Sequence, residues 1–252
     1  MIKKKVIKTL VSTGSFVDFV NAIFSLTDEK KSSYVCFANV HMVIEAKNDP
    51  TFCEVVNNAD IVAPDGRPLS IYMNVFYKMR QERVPGMDLM PALLREAEKR
   101  NKSVYFYGST DEILDLIIKR ANKELPMLKI AGTYSPPFRK LEDLEKQEII
   151  NKINSSSPDL LFVALGCPKQ ENWMAEHKGK INACMLGVGQ AYNVYAGIEK
   201  RLPKWMRDLS LEWAYRLFLE PKRLWKRYLV TNTTFVMLFL GVFFQKMFKV
   251  KE

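Results

Sequence analysis

The sequence predicts an α/β fold, a parallel β-sheet flanked by helices, and three observations carry that prediction. Short apolar runs of strand length alternate with amphipathic helical segments along most of the chain, the order expected of βαβ units with right-handed crossovers. One run, Leu160 to Leu165, is apolar without interruption, as a strand must be when both faces of its sheet are covered. A glycine or an Asp-Gly pair closes run after run (Gly66, Gly108, Gly132, Gly166, Gly187), so the carboxyl ends of the strands share a turn chemistry suited to lining a cleft.

Taken in order, Ser12 to Leu26 has helical spacing of Phe16, Val17, Phe19, Val20, Ile23 and Phe24, with Ser15 as its cap. Tyr34 to Ala38 is a strand ending at Asn39. A helix over Val40 to Ala46 follows, and beyond the Asn48-Asp49-Pro50 break a second one runs towards Asn58. Ile61 to Ala63 is the next strand, closed by Pro64-Asp65-Gly66. Pro68 to Tyr77 and Leu89 to Lys99 read as helices around a loop containing Arg83 to Asp88. Val104 to Tyr107 is a strand, Glu112 to Glu124 a helix capped by Ser109 or Thr110, and Met127 to Ala131 a strand ending at Gly132. Leu141 to Asn154 is helical and leads to the Leu160 strand. That strand breaks into Gly166-Cys167-Pro168-Lys169-Gln170-Glu171, a tight turn and helix start with Pro168 at the first helical position. Ala183 to Leu186 is the last strand and stops at Gly187-Val188-Gly189.

Composition narrows the chemistry. Four scattered cysteines without Cys-x-x-Cys spacing and only two histidines make a zinc site a poor reading. Neither Gly-x-Gly-x-x-Gly nor the P-loop pattern is present, which disfavours simple dinucleotide and ATP enzymes. The basic N-terminus opens into no uninterrupted apolar stretch, so it does not read as a signal peptide. Of the net charge of +10, a local balance of +8 falls after residue 199, where twelve Lys/Arg face four Asp/Glu. That skew calls for an anionic partner. It divides the chain into a 1–199 α/β domain and a 200–252 basic helical appendage with an apolar tail, Phe235 to Phe244. Flanked by lysines and arginines, the tail reads as a membrane-associating segment lying in the interface; a spanning helix and burial against the protein or in a dimer contact are the alternatives.

At the cleft edge Asp65 is the leading candidate for chemistry, because a carboxylate held between Pro and Gly just past a strand is aimed from a rigid turn and suits a general base. An Asx-turn or helix cap explains the same residue without chemistry. Asn39 and Gln170 stand at two other strand ends and suit polar ligand contacts or caps.

Several separated strings together resemble the WecG/TagA/CpsF family of bacterial glycosyltransferases: Asn39-Val40-His41, Asp65-Gly66, Arg83 to Met90, Leu165 to Glu171, Gly187-Val188-Gly189, Arg201 to Trp205, Leu211 to Leu217, Glu220 to Arg223 and Arg227-Tyr228. The match runs in order from about Tyr34 to Tyr228. The resemblance implies a Rossmann-like sheet and an inverting, metal-independent transfer from a UDP-sugar, N-acetylmannosamine or its uronic acid, with no cofactor. The acceptor it implies is a polyprenyl-diphosphate-linked sugar at the cytoplasmic membrane face. It makes Asp65 the base and puts Asn39, Arg83, Gln170, Gly187 and Gly189 in the substrate site. Arg216, Arg223 and Arg227, spaced to share one helical face if the helix only kinks at Pro221, are expected to contact the diphosphate. It also implies a membrane surface contact through residues 222–252 and leaves room for a homo-oligomer. Two departures from the family pattern, Phe37 in place of a usual Thr and Asn193 in place of a usual Asp, bear on the donor sugar. Two other classes fit parts of the chain: a basic nucleic-acid-binding α/β protein, which leaves the tail without purpose, and a catalytically silent sugar-nucleotide-binding membrane scaffold.

Overall fold

Hydrophobic alternation decides the architecture of the computed structural model, which describes residues 1–139, 141–208 and 211–249; the side chains of residues 204, 208, 216, 223, 227 and 247–249 lie outside the description. The chain opens with a hairpin of β1 (Lys3–Val6) and β2 (Thr9–Ser12), then α1 (Phe16–Asp28), β3 (Ser33–Ala38), α2 (Val40–Asn48), α3 (Pro50–Asn57) and β4 (Ile61–Pro64). It continues through α4 (Arg67–Tyr77), α5 (Gly86–Lys99), β5 (Ser103–Gly108), α6 (Asp111–Glu124), β6 (Lys129–Tyr134), α7 (Asp143–Ser155), β7 (Leu160–Ala164), α8 (Lys169–His177) and β8 (Cys184–Gly187). Four helices end it: α9 (Ala191–Tyr195), α10 (Lys204–Asp208), α11 (Glu212–Leu219) and α12 (Pro221–Lys249).

Six strands form one parallel sheet in the order β4-β3-β8-β7-β5-β6. Successive side chains of a strand point to opposite faces, and β3 follows that rule: Tyr34, Cys36 and Ala38 join a core roofed by α2, α3, α4, α7 and α8, while Val35 and Phe37 join one roofed by α1, α5, α6 and α9. Burying each of Leu160 to Val163 completely contributes about 1.5–3 kcal/mol, which is why the unbroken apolar run sits in the middle of the sheet.

Local signals set the helix ends. Ser15 and Asp18 form a capping box on α1, with Ser15 Oγ accepting from Asp18 N at 3.2 Å and Asp18 Oδ2 accepting from Ser15 N at 2.8 Å. Thr110 caps α6.

Three features differ from the sequence expectation. The hairpin is an addition, since its lysines mask the strand pattern; Lys3 carries its ammonium inward to the carbonyls of Ala59 (2.5 Å) and Asn57 (3.3 Å). Gly132 is not a strand end but lies inside β6, where the Tyr105 ring occupies the place of a side chain; a Cβ there would come within 2.7 Å of Tyr105 Cε2. Pro168 is the N-cap of α8 and not its first residue, joined to Cys167 by a cis peptide bond.

The apolar tail is one face docked and one face bare. Leu224, Thr231 and Phe235 of α12 are buried, and Leu238, Phe239 and Val242 pack on the same core. Phe235 and Phe239 meet Tyr72 of α4 at ring separations of 6.5 and 5.9 Å, Phe239 meets Phe76 at 5.0 Å, and Lys246 Nζ donates to the Phe76 carbonyl at 3.0 Å. Leu229, Val236, Met237 and Phe244 are exposed. Among the described residues, Leu224–Lys246 is the one helix long and apolar enough to cross a membrane.

Gly108 tests the turn that ends β5. Its φ of +104° is one that side chains avoid, and an added Cβ would lie 2.5 Å from the Ala164 carbonyl oxygen. Gly108→Ala is expected to lower the thermal midpoint by about 4 °C or more, as read by circular dichroism; a midpoint within about 1 °C of the parent would show that the turn relaxes freely.

Candidate active site

Asp65 is fixed before its side chain does anything. Its backbone N–H is within bonding distance of the Ala38 carbonyl (2.9 Å) and the Ala63 carbonyl (3.0 Å), and Gly66 N–H also reaches Ala38 at 3.3 Å. The turn after β4 is thereby tied to the end of β3, and the next residue of that strand, Asn39, stands beside it. Asn39 Oδ1 caps α2 by accepting from Met42 N at 3.1 Å, worth about 1 kcal/mol. A Cβ on Gly66 would sit 3.4 Å from Asn39 Cα, so the two strand ends are in contact. The Arg83 loop is secured to the same place by Val84 N–H donating to the Pro64 carbonyl at 2.8 Å. Three residues singled out from the sequence, Asn39, Asp65 and Arg83, are thus brought together.

A chain of charges runs from there into the C-terminal segment. Arg83 Nη1 pairs with Glu212 of α11 at 2.8 Å and donates to the Arg207 carbonyl at 3.0 Å. Glu212 also takes Arg201 Nη1 at 2.5 Å, and Arg201 grips Asp88 of α5 with Nε and Nη2 at 2.8–3.0 Å. Asp88 receives Arg207 as well, at 3.2 Å. The Arg201–Asp88 fork is the planar two-point geometry in which guanidinium pairs are strongest.

Asp65 stands at the rim of this network and forms no ion pair among the described residues. Half-buried by its own exposure but walled by protein, its carboxyl is pushed up to about 7, chiefly by burial; Arg83 and Arg201 oppose the rise, and Glu212 and Asp88 add to it. A carboxylate poised near neutrality suits proton abstraction.

Gln170 lies elsewhere on the edge, and its amide serves the protein. Oε1 accepts from Gly166 N at 3.2 Å, while Nε2 donates to the Gly187 carbonyl and to Glu171 Oε1, each at 2.7 Å. The side chain therefore braces the turn after β7 against the end of β8. Gly187 and Gly189 make room for it: a Cβ on either would come within 3.0–3.2 Å of the Gln170 amide. Asn193 Nδ2 is tied to Glu199 at 2.9 Å. Phe37 is buried with its ring against Gly86, where a Cβ would be 3.4 Å away. The side chains of Arg216, Arg223 and Arg227 lie outside the described residues, and the chain breaks between α11 and α12 at Glu220 where a kinked single helix was expected.

Glu171 is the residue that sequence reasoning passed over as a functional group. It is fully buried, its Oε2 has no hydrogen-bond partner, and burial raises its carboxyl to about 7; Gln170 and the adjacent Cys167 thiol favour the charged form less strongly. The one hint was its place in the Pro-Lys-Gln-Glu turn, since composition gives no reason to bury a glutamate at a helix start.

A groove of about 600 Å³ meets the network at Asp88 and Arg201 and is lined further by Phe16, Arg95, Arg120 and Tyr195; Asp65 does not line it.

The profile of the glycosyl transferase WecG/TagA/CpsF family matches residues 4–250. An N-acetylglucosaminyldiphosphoundecaprenol N-acetyl-beta-D-mannosaminyltransferase of Bacillus spizizenii is 33% identical over 216 residues, 85% of this chain and 81% of its own. The protein of the same name in Bacillus subtilis is 31% identical over the same shares. One from Staphylococcus aureus is 28% identical over 80% of this chain and 78% of its own.

Glu171 yields a stability test. An acid whose pKa is raised on folding lowers stability as pH climbs from the unfolded to the folded value, here from the ordinary glutamate range to about 7. Glu171→Gln should therefore stabilise the fold at pH 8 by on the order of 3 kcal/mol, read as a raised thermal midpoint, and the gain should vanish near pH 4. A gain independent of pH would refute the buried-charge account.

Proposed function

Because the chain belongs to the WecG/TagA/CpsF family of glycosyltransferases, we propose that it transfers N-acetylmannosamine from a UDP-sugar to a polyprenyl-diphosphate-linked N-acetylglucosamine, with Asp65 as general base. The observation that carries this reading is the position of Asp65: a carboxylate without an ion-pair partner among the described residues, rigidly mounted at the carboxyl edge of the parallel sheet and poised near neutrality. The relatives' shared activity supplies the substrate class.

In the proposed step the acceptor hydroxyl oxygen bonds to the anomeric carbon of the donor while Asp65 takes its proton. The bond from that carbon to the diphosphate oxygen breaks on the opposite side, so the configuration inverts and UDP leaves with the electron pair. The departing charge needs cations or backbone dipoles. Arg216, Arg223 and Arg227 are our candidates, because they lie in the basic segment that begins beside Arg83. Asn39 is placed to orient the acceptor from the adjoining strand end. Gln170 and Glu171 support the wall of the cleft from beneath, with Gly187 and Gly189 giving them space.

Residues 200–252 are read as an appendage whose portion from 222 onward faces a lipid surface. The support is the bare stripe of Leu229, Val236, Met237 and Phe244, with Lys222 and Lys226 exposed at one end and Lys246 at the other. The opposite face of α12 is packed against α2 and meets the aromatic side chains of α4, which favours a helix lying in the interface over a crossing that would draw the polar surface around α4 into hydrocarbon. Its placement at the cytoplasmic leaflet, where anionic headgroups attract lysines, fits a lipid-borne acceptor.

Asp65→Asn should reduce turnover by a factor of about 10²–10⁴ in a UDP-sugar panel assay with a short-chain polyprenyl-diphosphate-N-acetylglucosamine acceptor; near-normal turnover in folded protein would remove Asp65 from the chemistry. For the parent protein, kcat/KM is expected to fall as pH drops through about 7, since the base must be ionised to accept a proton. Replacing Val236, Met237 and Phe244 together by serine should release the protein from sedimenting vesicles containing anionic lipid, and undiminished sedimentation would rule out the lipid-facing stripe.

A further inference from the structure

Three elements meet at the ring of Tyr77, the last residue of α4, and none of them carries an acid. Lys4 of β1 holds its Nζ 5.4 Å from the ring centroid, and Lys246 of α12 holds its own at 5.3 Å. The Tyr77 hydroxyl donates to the Lys5 carbonyl at 2.7 Å, and Lys246 Nζ donates to the Phe76 carbonyl at 3.0 Å. The hairpin, the end of α4 and the end of α12 therefore form one continuous patch. Residues 1–17, 66–81 and 221–249, the stretches that contain these elements, hold four, three and six Lys/Arg and no Asp or Glu, although the whole chain sets 28 acids against 38 bases. Cations gathered in this way repel one another until an anion joins them.

Lys3 stands apart from the patch, because its ammonium is turned inward to the Ala59 and Asn57 carbonyls. Lys5, Lys78 and Arg80 are exposed, and their side chains make no ion pair among the described residues. Apolar surface lies beside them. Ile71 and Val75 are 45% and 43% exposed and share one face of α4 with Lys78. The adjoining residues Tyr72 and Phe76 turn instead toward Phe235 and Phe239 of α12, so the bare face of α4 borders the helix that carries the bare apolar stripe.

We propose that this face is a second lipid contact: Lys4, Lys5, Lys78 and Arg80 seat on the anionic headgroups of the leaflet that α12 enters, with Ile71 and Val75 at the acyl boundary. The proposal rests on the reading of the chain as lipid-bound, and it brings the N-terminal hairpin and α4 into that contact. A single helix lying in an interface leaves the protein free to roll about the helix axis. A contact beside the helix fixes the roll, and with it the direction in which the carboxyl edge of the sheet faces the leaflet. The exposed aliphatic pair decides the occupant, since Ile71 and Val75 gain from lipid and gain nothing from a phosphate held in water or on a nucleic-acid backbone.

The full chain is sedimented with vesicles of phosphatidylcholine and phosphatidylglycerol, each variant first shown by circular dichroism to be folded. K5Q/K78Q/R80Q should lower partitioning by about tenfold or more, since each cation near an anionic surface is worth about fivefold. K99Q/K119Q/K123Q removes the same charge from α5 and α6, on the other side of the sheet, and should sediment like the parent. Equal losses in the two triples would reduce the effect to net charge and overturn the proposal, as would parent-like sedimentation of K5Q/K78Q/R80Q. I71S/V75S keeps every charge and should still lower partitioning; an unchanged value would show bare charge attraction and overturn the lipid assignment. Inorganic phosphate added at constant ionic strength should displace nothing, and release by it would make the face a site for soluble phosphate instead. V236S/M237S/F244S is judged separately: if it sediments undiminished while K5Q/K78Q/R80Q is released, the α12 stripe is overturned and this face stands as the lipid contact.

Discussion

The Arg83–Glu212 ion pair is the contact on which the rest of the site depends. It is the point where a loop tied to the sheet and a helix from the far end of the sequence share one charge pair. Both side chains are about one-fifth to one-quarter exposed, so the pair is screened less than a surface bridge and costs less desolvation than a deeply buried one. Arg201 and Asp88 extend it, and together they commit the C-terminal segment to one place at the carboxyl edge of the sheet. A weaker arrangement of lone lysines would not give that geometry, because only guanidinium forks bind two carboxylates at fixed angles.

Beneath the ion pairs, the sheet supplies position without supplying chemistry. Adjacent parallel strands end side by side, so the Asp65 turn can be bonded to the end of β3 and the Arg83 loop to the end of β4. The same device recurs between β7 and β8, where the N–H groups of Val188 and Gly189 reach the Val163 carbonyl and the Gln170 amide adds bonds to Gly166 and Gly187. The division of labour is physical: the first pair of strand ends leaves a half-buried carboxylate without an ion-pair partner among the described residues, and the second turns its glutamine amide inward. Burying Glu171 without a partner for Oε2 costs stability.

Much of this was legible in the sequence because the strands are buried on both faces. The positions of β3, β4, β5, β7 and β8, the Ser15 and Thr110 caps and the Asp65 turn follow from local patterns that tertiary context did not override. The lysine-rich hairpin was hidden because Lys3 extends a charged tip over an apolar stem to backbone carbonyls. Gly132 misled because a glycine that admits an aromatic ring from the neighbouring strand has the same one-letter code as a glycine that turns the chain. Gln170 was recognisable as important, but the sequence could not tell a ligand contact from an internal brace. Nothing in the strings around Arg83, Asp88, Arg201 and Glu212 announced that they pair with one another, since those contacts join residues far apart in the chain. The apolar tail was legible as a helix that meets lipid or protein, and the packing of Phe235 and Phe239 against α4 shows that one of its faces meets protein.

The anomeric outcome of the reaction tests the proposed role of Asp65 most directly. Attack by an acceptor hydroxyl whose proton passes to Asp65 is one displacement and therefore gives inversion. Incubating the full-length protein with UDP-N-acetylmannosamine, an α-linked donor, and a soluble polyprenyl-diphosphate-N-acetylglucosamine acceptor, then reading the new linkage by proton–carbon coupling in NMR, should reveal a β-linked product. An α-linked product would mean retention, by two displacements or by front-face attack, and would contradict the central claim that Asp65 acts as the base of a single in-line displacement.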